Sequence, residues 1–291
     1  MSRGHPIADA MAKRPALSAI RTRRARRLSD DIPVVILCGG KGTRLKEHTE
    51  TVPKPLIEIG GKPILWHIMK LYSHFGFNNF ILCLGYLSEK IKEFFLDYDD
   101  WRRADLRLEL GRPGGASFQR ISSSRERWNI IFAETGVDTN TGGRIKRIEP
   151  YITGDRFLAT YADGVSDIDL RNLLAYHREK GRVGTVTVLR PASHYGVLEF
   201  NRERMVVRFQ EKPRLDVWIN GGFFVFEREI FKHLTDNCVL EGEPLERLSK
   251  DAQLAAFPHE GFWASMDTYK DFQELNRLWA IGRAPWKIWD D

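Results

Sequence analysis

Apolar positions along the chain fall into two alternating textures. Pro33-Val34-Val35-Ile36-Leu37-Cys38 is a continuous apolar, β-branched run, the pattern of a strand buried on both faces. Beyond it, Pro63 precedes Ile64, Leu65, Ile68, Leu71, Tyr72 and Phe75 at helical spacing, with Gly76 after them. That spacing predicts a helix with proline in its first turn and glycine at its stop. Residues 80–84 repeat the strand texture and close on Gly85, and Ser88 stands as a cap before Ile91, Phe94 and Phe95. Further strand-like runs lie at 106–110, 130–133 and 157–161. Leu170, Leu173, Leu174 and His177 mark another helix that stops near Gly181. Strands and helices in this alternation predict an α/β fold, with a mostly parallel, Rossmann-like sheet flanked by helices on both faces. Ligands of such sheets bind at the carboxyl ends of the strands.

From residue 183 the texture changes. Short runs at 183–189, 197–200, 205–209 and 223–226, separated by brief turns, predict an added β-rich part forming the second wall of a cleft. Thr268-Tyr269-Lys270-Asp271 has the form of a capping box. It opens a last helix through Phe272, Leu275, Leu278 and Trp279.

Charge alters this picture in one place. The chain of 291 residues carries a net +6. Residues 1–30 hold eight basic side chains against Asp9 and Asp30, which is the whole of that excess. The basic pI therefore describes an N-terminal tail rather than a binding face, and the neutral body excludes a nucleic-acid-binding surface as the main function. The tail reads as a disordered extension, residues 1–31, ahead of one domain over 32–291. An anion- or membrane-attracting role for it stays open, since its Arg-rich, acid-poor composition is shared with transit peptides, while the twin-Arg form of Arg23-Arg24 is followed by the charged Leu28-Ser29-Asp30-Asp31 and not by an apolar export region. No apolar run approaches the ~20 residues that span a bilayer. Cys38, Cys83 and Cys238 form neither a close pair nor a zinc-type spacing, as expected of a protein of the reducing cytoplasm.

The densest chemical signal follows the first strand. Gly39-Gly40-Lys41-Gly42-Thr43-Arg44-Leu45 combines three glycines, which let backbone N–H groups approach phosphate oxygens, with a hydroxyl and a forked cation. It fits neither the P-loop nor the G-x-G-x-x-G spacing. Pro53-Lys54-Pro55 holds one cation on a stiff, extended mount. Tyr161-Ala162-Asp163-Gly164 places a carboxylate at the end of a buried strand, where a hard oxygen ligand suits Mg²⁺. Asp267 precedes the last helix as a second such carboxylate, while Asp167 and Asp169 read as caps of the helix that follows them. Glu211-Lys212-Pro213 stiffens another cation. Asn220-Gly221-Gly222 offers an amide and close backbone approach before the run at 223–226. Arg144, after Gly142-Gly143, is a further candidate phosphate cation.

Together these motifs resemble the sugar-1-phosphate nucleotidyltransferase family over residues 33–289. The glycine loop followed by Pro-Lys-Pro is highly specific for that family. Within it the likeness is to members acting on CTP and glucose 1-phosphate. It rests on residues 58–70, Thr141-Gly142-Gly143-Arg144, Ile219-Asn220-Gly221-Gly222-Phe223-Phe224-Val225, Gly261-Phe262-Trp263 and Ala284-Pro285-Trp286-Lys287. The chain departs from the pattern at Cys38, at Ala162 and at Tyr195-Gly196-Val197-Leu198-Glu199, and these departures spare the phosphate and metal residues. The resemblance implies an enzyme that makes CDP-glucose and pyrophosphate by in-line attack on the α-phosphorus, with Mg²⁺ as cofactor. Leu37, Gly39, Gly40, Gly42, Thr43 and Arg44 would hold the triphosphate with Arg144 assisting, and Gly85 and Tyr86 would lie near the base. Arg44, Lys54 and Lys212 would neutralise charge on the reacting phosphates. Glu211, Lys212, Asn220 and Gly221 would bind the sugar phosphate in the β-rich part, and Asp163 and Asp267 would hold the metal. The resemblance also implies a homo-oligomer. The same chemistry on UTP, dTTP or GTP, and a regulator that binds sugar nucleotide without turnover, are the alternatives.

Overall fold

A computed structural model describes residues 32–42, 51–98, 126–193 and 195–290, together with the backbone of a hairpin over Leu106–Arg112 and Gly115–Arg120. The basic N-terminal segment and, in the glycine-rich loop, Thr43, Arg44 and Leu45 lie outside the described residues.

Seven strands form the central sheet: β1 (Val34–Leu37), β2 (Asn79–Leu84), β3 (Asn129–Glu134), β4 (Arg156–Tyr161), β5 (Gly184–Leu189), β6 (Ile219–Glu227) and β7 (Leu254–Pro258). Their spatial order is β7-β5-β6-β4-β1-β2-β3. Only β6 runs against its neighbours; the pairs β1–β2, β1–β4, β2–β3 and β5–β7 are parallel. Period-2 alternation divides the core in two. Val34, Ile36, Phe80, Leu82, Leu158, Phe223 and Val225 enter one cluster, and Val35, Ile81, Cys83, Phe157, Ala159, Phe224 and Phe226 enter the other. The first cluster is covered by helices α1 (Ile64–His74), α2 (Ser88–Leu96), α4 (Leu170–Lys180) and α6 (Tyr269–Ala280). The second is covered by α3 (Thr141–Arg147) and α5 (Glu243–Lys250).

The β-rich part is smaller than its sequence texture suggests. The runs at 183–189 and 223–226 are β5 and β6 of the central sheet, and the hairpin of Val197–Phe200 with Val206–Gln210 is what stands apart. Two caps also differ. Leu87, in the left-handed region, precedes α2 with no side-chain cap, and Ser88 is its first residue. Asp169 caps α4 through Arg171 N and Asn172 N, whereas Asp167 accepts from Phe262 N at 2.8 Å. The capping box of Thr268 and Asp271 is present.

The C-terminal segment is fastened to α1 by aromatic packing. His67 is fully buried among Trp66, Trp279, Trp286 and Trp289. Its Nε2–H donates to Ile59 O at 2.8 Å while Nδ1 accepts from Trp286 Nε1 at 3.4 Å. Burial pushes its pKa down to about 4, so the ring is neutral at physiological pH.

Candidate active site

A cavity of about 400 Å³ opens at the carboxyl ends of β1 and β4, lined by the glycine-rich loop, Lys54, Asn140, Tyr161, Asp163 and Asp267 among others. Its size suits a small-molecule ligand. Three segments build its floor.

The first is Pro53-Lys54-Pro55. Pro53 is extended, and Lys54 opens a single 3₁₀ turn, Lys54–Leu56, rather than lying on an extended run. The turn is closed by Leu56 N–H to Pro53 O and Ile57 N–H to Lys54 O. The second and third segments are a two-stranded ladder, Gly164–Ser166 against Trp263–Ser265, closed by Met266 N–H to Asp163 O at 2.9 Å. This ladder brings together two carboxylates that are distant in sequence. The Lys54 ammonium bonds Asp163 Oδ2 at 2.7 Å and Asp267 Oδ1 at 2.8 Å, and Ser265 Oγ donates to the other oxygen of Asp267 at 2.9 Å. Burial alone would lower the lysine pKa; Asp163, and after it Asp267, outweigh burial and hold it above its usual value. Lys54 therefore stays charged through the physiological range.

Two carboxylates converging on one point are the donor set from which Mg²⁺ is commonly held together with substrate phosphates. Among the described residues no cluster of three or more acidic, His or Cys side chains could hold a metal by itself, so any ion here would share its coordination with a ligand.

Arg144 lines the cavity, with most of its side chain turned into protein contacts. It is 4% exposed. Its NH1 donates to Leu84 O, Thr135 Oγ1 and Gly136 O, and its NH2 to Gly39 O and Val137 O, over 2.7 to 3.2 Å. A Cβ at Gly39 would collide with this guanidinium, and one at Gly85 would come within 2.6 Å of it and 2.8 Å of Gly39 O. Arg144 thus ties the glycine loop to the end of β2 and to residues 135–137, acting as a positioning residue. Gly85 is the space that lets it do so. Tyr86 N–H donates to Gly39 O at 3.2 Å, which holds it behind the loop. Burial raises the thiols of Cys38 and Cys83, the latter to about 12, so both are neutral neighbours of the loop.

The residues expected at the sugar are only partly gathered. Asn220 Nδ2 donates to the hydroxyl of Tyr161, a cavity-lining residue, at 3.2 Å, and Gly221 O accepts from Trp263 Nε1 at 2.7 Å. Glu211 and Lys212 stand outside the cavity lining. They pair with each other at 3.3 Å with about half of each side chain exposed, and Lys212 sits at φ 46°.

Thr139 and Asn140, which also line the cavity wall, were not singled out in the sequence, and Thr141 and Tyr161 stood there only as members of motifs, with no role of their own. Glu241 fastens that wall. It accepts from the Tyr161 hydroxyl and, at 2.7 Å, from Thr141 Oγ1. Beyond those motifs, the helix-start character of Asn140-Thr141 before Gly142 was a linear signal for this wall.

The glycine-loop cavity, its lysine–carboxylate cluster and the sheet order define a nucleotide-transferring enzyme, and the chain belongs to the nucleotidyl transferase family, whose model matches residues 33–279. A Bacillus subtilis protein named "Probable glucose-1-phosphate cytidylyltransferase" is 48% identical over 88% of this chain and 99% of its own length. The glucose-1-phosphate cytidylyltransferase of Salmonella typhimurium is 43% identical over the same shares. A mannose-1-phosphate guanyltransferase of Gibberella zeae is 30% identical over 82% of this chain and 61% of its own length. The crystal structure of HddC from Yersinia pseudotuberculosis shares the fold, with a TM-score of 0.61 at 22% identity over 85% of this chain and 99% of that one.

Glu241→Ala should loosen the wall it joins. Two hydroxyls lose a charged acceptor worth roughly 1.5–3 kcal/mol to each. With part of that felt at the site, nucleotidyl transfer should fall about tenfold in kcat/KM. Pyrophosphate release checks it, and unchanged kinetics would confine Glu241 to scaffolding.

Proposed function

We propose that this chain is a glucose-1-phosphate cytidylyltransferase, converting CTP and glucose 1-phosphate to CDP-glucose and pyrophosphate. The observation that carries the reading is the bridge from Lys54 to Asp163 and Asp267 on the floor of the loop-lined cavity. The cytidylyltransferase relatives, matched over nearly their whole length, supply the substrates.

The sugar phosphate oxygen attacks the α-phosphorus in line with the departing pyrophosphate. It is already an anion, so no general base is required. The protein's task is to bring two polyanions together and neutralise the charge that develops. Backbone N–H groups of the glycine loop, held in shape by Arg144, grip the triphosphate with Thr43 and Arg44. Lys54 meets the reacting phosphates, Asn220, beside Tyr161, would meet the sugar phosphate, and Lys212 would reach it from outside the cavity lining. Asp163 and Asp267 would hold Mg²⁺, which when bound supplies positive charge at the phosphate oxygens. The domain spans residues 32–291. Among the described residues no helix is long and apolar enough to cross a membrane. Three free cysteines support a cytoplasmic enzyme.

The same transfer onto another base is a second reading, favoured by the guanyltransferase relatives. Pyrophosphate release with Mg²⁺ and glucose 1-phosphate, compared across CTP, UTP, dTTP, GTP and ATP, separates the two. Release with CTP alone is expected. Release with a different triphosphate alone would keep the chemistry and replace the base.

A further inference from the structure

The glycine loop and the turn between β3 and α3 are tied together at two depths. The buried tie is Arg144, whose NH2 donates to Gly39 O at 3.0 Å and to Val137 O at 3.2 Å. The outer tie is an ion pair, with the Lys41 ammonium on Asp138 Oδ1 at 2.7 Å. It is open to solvent, its two side chains being 53% and 83% exposed. Lys41 lies between Gly40 and Gly42, and Asp138 directly before Thr139. All three of those neighbours line the cavity, while Lys41 and Asp138 themselves stand at its rim. The Lys41 ammonium holds the Asp138 carboxyl below its ordinary value, so the acid is ionised at physiological pH. Exposed pairs of this kind are individually weak. Arg144 already fixes the backbone on both sides, and the flexible four-carbon stem of Lys41 can swing while that backbone stays in place.

We propose that Asp138 holds Lys41 in reserve at the rim and that an arriving triphosphate takes the lysine over. Lys41 then binds phosphate, and Asp138 acts as a brake on nucleotide affinity. The inference rests on the reading of this cavity as the triphosphate site. On that reading the α-phosphorus lies over Lys54, Asp163 and Asp267 on the floor. The two outer phosphates, those of the departing pyrophosphate, then run along the glycine loop towards the rim. They carry more charge and more acceptor oxygens than one carboxylate, and lysine binds phosphate as a point charge. The exchange of Asp138 for phosphate therefore favours the bound nucleotide. It also runs backwards: once pyrophosphate is made, Asp138 competes for the lysine and helps the product to leave.

The test follows nucleotide-sugar formation by the full chain from glucose 1-phosphate, Mg²⁺ and the triphosphate that wild type uses. Lys41→Met should raise the KM for the triphosphate about tenfold, as expected for loss of one charged phosphate contact, and leave the KM for glucose 1-phosphate unchanged. Asp138→Asn should lower the triphosphate KM about two- to fivefold, the strength of an exposed pair, and tighten inhibition by added pyrophosphate by a similar factor. Placed on Lys41→Met, Asp138→Asn should have no further effect. Both side chains are exposed, so all three variants should keep the wild-type melting temperature. A higher triphosphate KM in both single variants would make the pair a structural tie and overturn the proposal. An equal fall on Asp138→Asn with and without Lys41 would overturn it too, leaving Asp138 as a charge that merely repels polyanions. An unchanged KM in Lys41→Met would remove the lysine from the site. An error in the base leaves these comparisons intact. A wild type inactive with all five triphosphates would defeat the reading of the cavity, and this inference with it, before any variant is made.

Discussion

Replacing Lys54 with Met is expected to cut turnover by about 10²–10³-fold, the loss typical of removing one preorganised charge-stabilising donor, and to destabilise the protein at the same time. The Lys54 side chain is 13% exposed and its carboxylate partners about one third exposed. Without the ammonium, Asp163 and Asp267 face each other with no cation between them. Breaking a fully buried pair costs roughly 3–5 kcal/mol, and solvent access to these carboxylates reduces that to about 1–3 kcal/mol. The repulsion would raise the pKa of one carboxylate above its unfolded value. The folded variant then binds more protons than the unfolded chain, so its stability should fall as pH rises through the raised pKa and recover towards acid. Thermal melts of the variant between pH 5 and 8 check the sign. Lys54→Met combined with Asp267→Asn should regain stability, and comparing its turnover with that of Asp267→Asn alone separates the two effects, with a further loss expected. Equal turnover in those two variants would mean that Lys54 serves only to hold the carboxylates apart.

Asp163→Asn should lower turnover by a similar factor with little change in melting temperature. Lys54 keeps Asp267 as a partner, and the isosteric amide preserves the turn into the Gly164–Ser166 strand. Asp163 and Asp267 act at one point, so the double Asn variant should be scarcely slower than the worse single one. Multiplying losses would mean that the two carboxylates do separate work. Wild-type turnover in Asp163→Asn would remove that residue from the mechanism.

The floor of the site was legible in the sequence because each of its parts follows a strong local marker. Gly39-Gly40 ends a buried strand, prolines flank Lys54, Asp163 follows a second strand, and Asp267 stands just before a capping box. The walls were not legible, because they depend on approach between remote segments. Arg144 reads as a phosphate cation, but its further role in positioning the loop shows only once the carbonyls of Leu84, Gly136, Gly39 and Val137 are seen around it. Glu241 acquires meaning only through Tyr161 and Thr141. The same distinction explains the β-rich region. Residues 223–226 are buried without alternation, which is the signature of an interior strand, yet they follow a run of short turns that made them look like part of a separate sheet. Local pattern names a strand; its neighbours are set by register across the whole chain.

The ladder joining Gly164–Ser166 to Trp263–Ser265 has a consequence for how the protein is made. Lys54 and Asp163 emerge from the ribosome long before Asp267, and the Trp279, Trp286 and Trp289 rings that pack around His67 emerge later still. A nascent chain can therefore build most of its sheet while the lysine has one carboxylate instead of two. The catalytic floor closes only after Asp267 has been made, so a chain interrupted before that residue lacks one of the two carboxylates that meet Lys54.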